Sequence, residues 1–347
     1  MFVVTGAQLT PGGSSVVHGE GRSPEADSSG GDADMAGDAV DYERNLSEAV
    51  EAARRNTSGA PASYIPELAE ADLEQVSAAI THCDGTVVHA GDPGHELTFQ
   101  SSAKLLVLTG LLEEQGPDAV FSSVGKEPSG GSFASVALLE THGPRPRNPL
   151  INSGAIALCD RVRGNLEDRI AWIERWSETL YGEPLTINQR VMLSERRTGD
   201  RNRSIAYLLR AGGIVTQNVS ETLEMYFALC AVQGTVGHAS RFAALLARGG
   251  RLPGGRDQVI SRETAATVVA LMATCGMYDE SGTHLVRTGL PAKSGVSGII
   301  VAVVPGRAGI AVASPRLNEK GGSCRGHQVL ADLSHRLGWH FALPRSY

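Results

Sequence analysis

Gln100-Ser101-Ser102-Ala103-Lys104 and, far downstream, Pro291-Ala292-Lys293-Ser294-Gly295-Val296 are the two stretches whose reading decides the fold. Each sets a lysine beside a serine. Of the 31 basic residues only Lys104, Lys126, Lys293 and Lys320 are lysines, and the rest are arginines. Arginine stays protonated in proteins, whereas a buried lysine can lose its proton and act as a base. In a chain that otherwise carries positive charge on arginine, each lysine is a candidate for work that arginine cannot do. Ser101 and Lys104 are three residues apart, so one helical turn would bring them to the same face.

Ser-x-x-Lys followed later by Lys-Ser/Thr-Gly resembles the two-part signature of serine acyl-transfer enzymes built like penicillin-binding proteins and β-lactamases. The surroundings of the motifs fit an α+β layout. Tyr42 to Arg55 has helical spacing, and Tyr64-Ile65-Pro66 closes a loop. Val76 to Cys83, Asp84-Gly85 and Thr86 to His89 read as a hairpin with a tight Asp-Gly turn. Ser101 then precedes an apolar helix over Ala103 to Glu114, where free backbone N–H groups favour developing negative charge. From Ile151 to about Leu271 the pattern is mostly helical, as in Leu166 to Tyr181, Arg203 to Arg210, Ser220 to Val232 and Ala239 to Ala247. Gly298 to Val304 and Gly309 to Ala313 read as strands around Pro305-Gly306, and Gly326 to Leu337 as a final helix. Strands at both ends with helices between predict one antiparallel sheet with flanking helices, assembled from distant parts of the chain, plus a helical insert over about 151–271.

Composition bounds the partners. The net charge is −7 with no block of Lys/Arg, which argues against nucleic acid. No run of about 18 apolar residues occurs, so no membrane helix is expected. Met1 to Thr10 has no basic start and no apolar stretch suited to secretion. The five cysteines (Cys83, Cys159, Cys230, Cys275 and Cys324) are scattered, odd in number and without C-x-x-C, so neither a zinc site nor a disulfide framework is indicated. A reducing cytoplasm is the expected compartment. Residues 1–40 form a Gly-, Ser- and acid-rich stretch with almost no aromatics, expected to be a disordered tail; Met35 is a candidate start. The expected single catalytic domain spans 41–345. No His/Cys/Asp cluster has metal-ligand spacing, and His89 and His95 are expected to flank a surface turn.

Polar residues gather in short Gly/Pro-punctuated blocks: Tyr64-Ile65-Pro66; Gly125-Lys126-Glu127-Pro128-Ser129-Gly130; Asn148-Pro149-Leu150-Ile151-Asn152-Ser153-Gly154-Ala155; Ser194-Glu195 through Gly199-Asp200-Arg201-Asn202; and Gly276-Met277-Tyr278-Asp279. With the two lysine motifs, these blocks closely resemble those of the serine-dependent glutaminase family, in the family's order, over roughly residues 42–340. The resemblance implies a serine β-lactamase-like fold and hydrolysis of L-glutamine to L-glutamate and ammonia, without metal or organic cofactor. It implies Ser101 as nucleophile and Lys104 as the base that activates it, neutral through burial or the nearby charge of Lys293. Tyr64 and Tyr278 would relay protons. The backbone N–H groups of Ser101 and Val296 would hold the oxyanion. Glu195 would pair with the α-ammonium, and Asn152, Asn202 and Tyr226 would bind the α-carboxylate or the carboxamide. Lys293 and Ser294 support the site. The partner is then a small molecule, and a homodimer or homotetramer is implied.

The chain departs from the family pattern at several places. Phe133-Ala134-Ser135 stands for Phe-Asn-Ser, Gly321-Gly322-Ser323 for Gly-Asn-Ser, and Ser297-Gly298-Ile299 for a run of glycines; Ser153 and Ala231 also differ. Ala134 and Gly322 each lack a side-chain amide, so hydrogen bonds around the site are expected to be missing. The alternative reading is therefore a weakened member that binds an amino acid without efficient turnover. A β-lactamase or cell-wall peptidase shares the two lysine motifs, but no clear Ser-Asp-Asn or Tyr-x-Asn lies between them.

Overall fold

The computed structural model describes residues 41–130, 134–141 and 143–343. The expectations for the tail and for Met35 lie outside them. Eight strands occur among these residues: β1 Ser77–His82, β2 Val87–Gly91, β3 Leu97–Thr98, β4 Thr186–Ile187, β5 Val232–Gly234, β6 Ala292–Ser294, β7 Ile299–Val304 and β8 Ala308–Ala313. The main sheet has the order β2-β1-β8-β7-β6. Every neighbouring pair is antiparallel, with β1 from one end of the chain paired to β8 from the other.

The hairpin forms as the Asp-Gly signal predicts. Gly85 takes φ +96°, Thr86 N donates to Asp84 Oδ1 at 2.8 Å, and His82 N donates to Thr86 O. Strands β7 and β8 are buried at every position, as expected of strands covered on both faces. Successive residues of β7 nevertheless serve different cores. Ile299, Val301 and Val303 face the helical layer, and Ile300, Ala302 and Val304 face the opposite core, the period of two inherent in a strand.

That second core is closed by the helices Tyr42–Arg54 and Cys324–Leu337, through Leu46, Val50, Val329 and Leu333. Arg325, wholly buried, ties these parts together by donating to the carbonyls of Arg54, Asn56 and Leu73 and to Glu74. The other face is covered by the helix Val236–Ala247. Gly309 makes that contact possible, because a Cβ there would lie 2.1 Å from Ala244 N and 2.2 Å from Ser240 O.

Several elements differ from the sequence reading. Val232, expected as the last residue of a helix, instead opens the strand β5, which pairs with β3 and β4 in a three-stranded sheet. Ala292 to Ser294, given no element in the sequence reading, is the edge strand β6. Ser101 lies in a 3-10 turn, Gln100–Ala103, and the α-helix begins at Lys104. That helix is recorded over Lys104–Ser123 with a break at Gly116 (φ +75°), after which Pro117 opens the second segment. The helix Val236–Ala247, within the stretch expected as an insert, packs directly on the sheet; the helices Asn152–Arg161, Leu166–Tyr181 and Val219–Cys230 pack in the layer beyond it.

Candidate active site

The site is assembled where the 3-10 turn meets the edge of the sheet. Side chains three residues apart eclipse in a 3-10 helix, so the turn Gln100–Ala103 sets Lys104 on the same side as Ser101. Gln100 takes φ +49° and Tyr278 φ +55°; among the described residues these are the two non-glycines with positive φ. Backbone strain of this kind costs on the order of 1–3 kcal/mol and persists where surrounding contacts impose it.

Behind Ser101 lie two buried lysines and a tyrosine. Lys104 and Lys293 are both 0% exposed. Lys104 Nζ donates to Asn152 Oδ1 at 2.7 Å, and Lys293 Nζ to the carbonyl of Ser294 at 2.6 Å. The Tyr278 ring lies by both, with Nζ of Lys293 4.1 Å and Nζ of Lys104 5.7 Å from its centroid. The Tyr278 hydroxyl hydrogen-bonds with Ser101, and burial holds its pKa above the usual phenol range. Burial pushes Lys104 down to about 8, opposed by the field of Cys230, Glu195 and Cys159. Lys293 is pushed well below the usual lysine range, by burial first and then by repulsion from Lys104. The downward shift of Lys104 therefore stems from desolvation.

In front of Ser101 opens a cavity of about 440 Å³, lined by Tyr64, Gln100, Ser101, Ala134, Asn152, Glu195, Thr198, Gly199, Arg201, Asn202, Tyr226, Cys230 and Val296. Glu195 is buried at the end of the helix Gln189–Thr198, and its Oε1 accepts from the Tyr64 hydroxyl at 2.7 Å. The same hydroxyl reaches Gln100 Oε1 at 2.9 Å. Burial raises the Glu195 pKa, against the hydrogen bonds from Tyr64 and Gln100. Tyr64 is 44% exposed as a residue, but its hydroxyl end is enclosed at the cavity wall; desolvation there, and next the Glu195 charge, hold the phenol well above its ordinary value. Asn152 opens the helix Asn152–Arg161 and donates to Asn202 Oδ1 at 3.0 Å. Tyr226 is buried on the helix Val219–Cys230 and hydrogen-bonded with Cys230. Val296 sits in the turn after β6. Among the described residues, neither its N–H nor that of Ser101 donates to another backbone carbonyl.

The residues expected to form the site thus converge here: nine of them line the cavity or lie directly behind it, and Lys293 and Ser294 anchor the wall on β6. Two cavity residues carried no signal of their own. Gln100, held by its Nε2 to Thr98 Oγ1 at 3.2 Å, binds Tyr64. Cys230 contributes a thiol that burial pushes up to about 12. Of the other lysines, Lys320 pairs with Asp279 at 3.5 Å, beside Tyr278, and Lys126 lies 4.3 Å from the Phe121 ring centroid. His89 is exposed on β2 and His95 exposed beyond it. Among the described residues no group of three or more His, Cys, Asp or Glu is placed to hold a metal ion, and no helix is long and apolar enough to cross a membrane.

Residues 59–341 match the family model described as Glutaminase. The chain belongs to the glutaminase family. A glutaminase of Legionella pneumophila (strain Corby) is 49% identical over 300 residues, covering 86% of this chain and 97% of that one. Glutaminase 2 of Clostridium perfringens is 41% identical over 282 residues, covering 80% and 92%. Among solved structures, one described as the probable glutaminase ybaS has a TM-score of 0.83 at 36% identity, covering 87% of this chain and 99% of that chain. Another, of Mglu in its glutamate form, has a TM-score of 0.84 at 35% identity, covering 88% and 71%. The architecture is the serine β-lactamase-like α+β fold of these glutaminases.

Proposed function

We propose that this glutaminase hydrolyses L-glutamine to L-glutamate and ammonia through an ester on Ser101. The observation that carries the reading is the serine hydroxyl at the floor of a polar cavity with a buried, readily deprotonated lysine one turn away. Neutral Lys104 takes the Ser101 proton as Oγ attacks the carboxamide carbon. The oxyanion is held by the N–H groups of Ser101 and Val296; the loss of one such donor typically costs about 10²–10³ in rate. The C–N bond breaks as the nitrogen receives a proton relayed by Tyr278 or Tyr64, and ammonia leaves. Water then attacks the glutamyl ester, regenerating the serine hydroxyl. Glu195 pairs with the α-ammonium, a charge that relieves an otherwise costly buried carboxylate. Asn152, Asn202 and Tyr226 bind the α-carboxylate or the carboxamide.

The test is ammonia and glutamate release from L-glutamine by the wild-type protein and Ser101→Ala, with L-asparagine in parallel. Turnover of glutamine that vanishes in the variant is expected. Turnover that survives it would refute the nucleophile, and turnover of neither amide would favour a binding protein. The same reading includes a single catalytic domain over 41–345 with a helical insert near 151–271, a homodimer or homotetramer, and a cytoplasmic location. Light scattering and cell fractionation check the last two.

A further inference from the structure

Gly322 carries no side chain at a crowded point beside the turn that holds Tyr278. The space is filled from elsewhere. A Cβ on Gly322 would lie 2.6 Å from His327 Nε2 and 2.9 Å from Glu280 Oε2. Glu280 closes the 3-10 turn Tyr278–Glu280 that holds Tyr278 in its left-handed conformation. Its Oε1 accepts from Asn318 Nδ2 at 2.9 Å, and its Oε2 lies 3.9 Å from His327 Nε2. Asn318 is itself fixed, since its Oδ1 accepts from the N–H groups of Lys320 and Gly322. The carboxylate is thus hydrogen-bonded by an amide on one side and packed against an imidazole, beyond hydrogen-bond distance, on the other.

The imidazole is held in turn. His327 Nδ1 lies 3.2 Å from Nδ1 of His284, which sits on the helix Ser281–Thr288 directly after the tyrosine turn. Across such a contact one ring donates and the other accepts, so at most one of the two rings can carry a charge. Burial pushes His327 down to about 4 and His284 to about 3, with Arg287 adding to both and the two rings repelling at His284. Glu280 and the Asp279–Lys320 pair are the remaining charged groups around the clamp.

We propose that His327 is a positioning residue for Tyr278: its imidazole occupies the space left by Gly322 and confines the Glu280 carboxylate, fixing the turn that presents the tyrosine to Ser101. The inference rests on the catalytic reading of Tyr278 given above. It predicts that position 322 and position 327 are exchangeable as suppliers of the polar group, which a purely structural role for His327 would not produce.

The test compares kcat and KM for L-glutamine among full-length variants. His327→Ala is expected to lower kcat about tenfold or more, with KM within about twofold. His327→Gln and the double variant Gly322→Asn/His327→Ala should each recover most of the loss. Gly322→Ala leaves His327 in place but presses on it, and should lower kcat at unchanged KM. Wild-type kcat in His327→Ala or in Gly322→Ala would overturn the proposal, as would a loss that neither His327→Gln nor the double variant relieves. Tyr278→Phe separates the two levels: if it keeps wild-type kcat the reading of Tyr278 itself fails, and if it is impaired while His327→Ala is not, the positioning role alone fails.

Discussion

Lys104 can act as a base only in its neutral form, and this sets a quantitative expectation. Its pKa is moved from 10.5 to about 8, which corresponds to about 3 kcal/mol against the charged form. At pH 7.5 about a quarter of the molecules then carry neutral Lys104, against about one in a thousand for an unshifted lysine. Because the deprotonated form is active, kcat/KM for glutamine should rise with pH. The increase between pH 6 and pH 8 is about fiftyfold, bending to a plateau above about 8. A lysine left in water would keep climbing to about pH 10. The assay is initial-rate glutamate formation from pH 5.5 to 9.5, repeated with Glu195→Gln. That variant removes a buried carboxylate that holds Lys104 up, so the bend should move to lower pH and keep its shape. Lys104→Arg keeps the charge and forbids deprotonation, so it should lower kcat by about a thousandfold or more. A flat profile between pH 6 and 9, or Lys104→Arg with a tenth of wild-type kcat, would refute the assignment of Lys104 as base.

Two further outcomes follow from the same geometry. Glu195→Gln removes the charge expected to meet the α-ammonium and should lower kcat/KM about 10–100-fold, in line with about 1.5–3 kcal/mol for a hydrogen bond to a charged group; steady-state kinetics on glutamine will show whether it does. Gly309→Ala would place a methyl about 2 Å from the backbone of the helix Val236–Ala247. It should cost upwards of about 3 kcal/mol, readable as a lowered urea midpoint, with the active site untouched.

What could be read in the sequence followed the strength of local signals. The Asp84-Gly85 turn and the long apolar runs of β7 and β8 announced the sheet. Strand β6 escaped because only Ala292, Lys293 and Ser294 form it, too few residues to show strand periodicity. Strands β3, β4 and β5 are two or three residues long and carry no pattern, so β5 was absorbed into the neighbouring helix. Of the proposed site residues, Ser101 and Lys104 were legible through their spacing and the others through family resemblance alone, since Tyr64, Glu195 and Tyr278 meet only in the folded chain. Gln100 and the contact between Gly322 and His327 are tertiary facts with no local trace.

The pairing of β1 with β8 has a consequence during synthesis. Some 220 residues separate the two strands, so the hairpin β1–β2 leaves the ribosome with one edge open and waits for the last part of the chain to cover it. Unpaired edges of this kind invite association with other chains. Ser101 and Lys104 likewise emerge long before Val296 and Tyr278, which are delivered by the same late segment. Under the proposed mechanism, a nascent chain therefore holds the nucleophile without the donor and the tyrosine that would make it competent, and it should hydrolyse no glutamine until the sheet has closed.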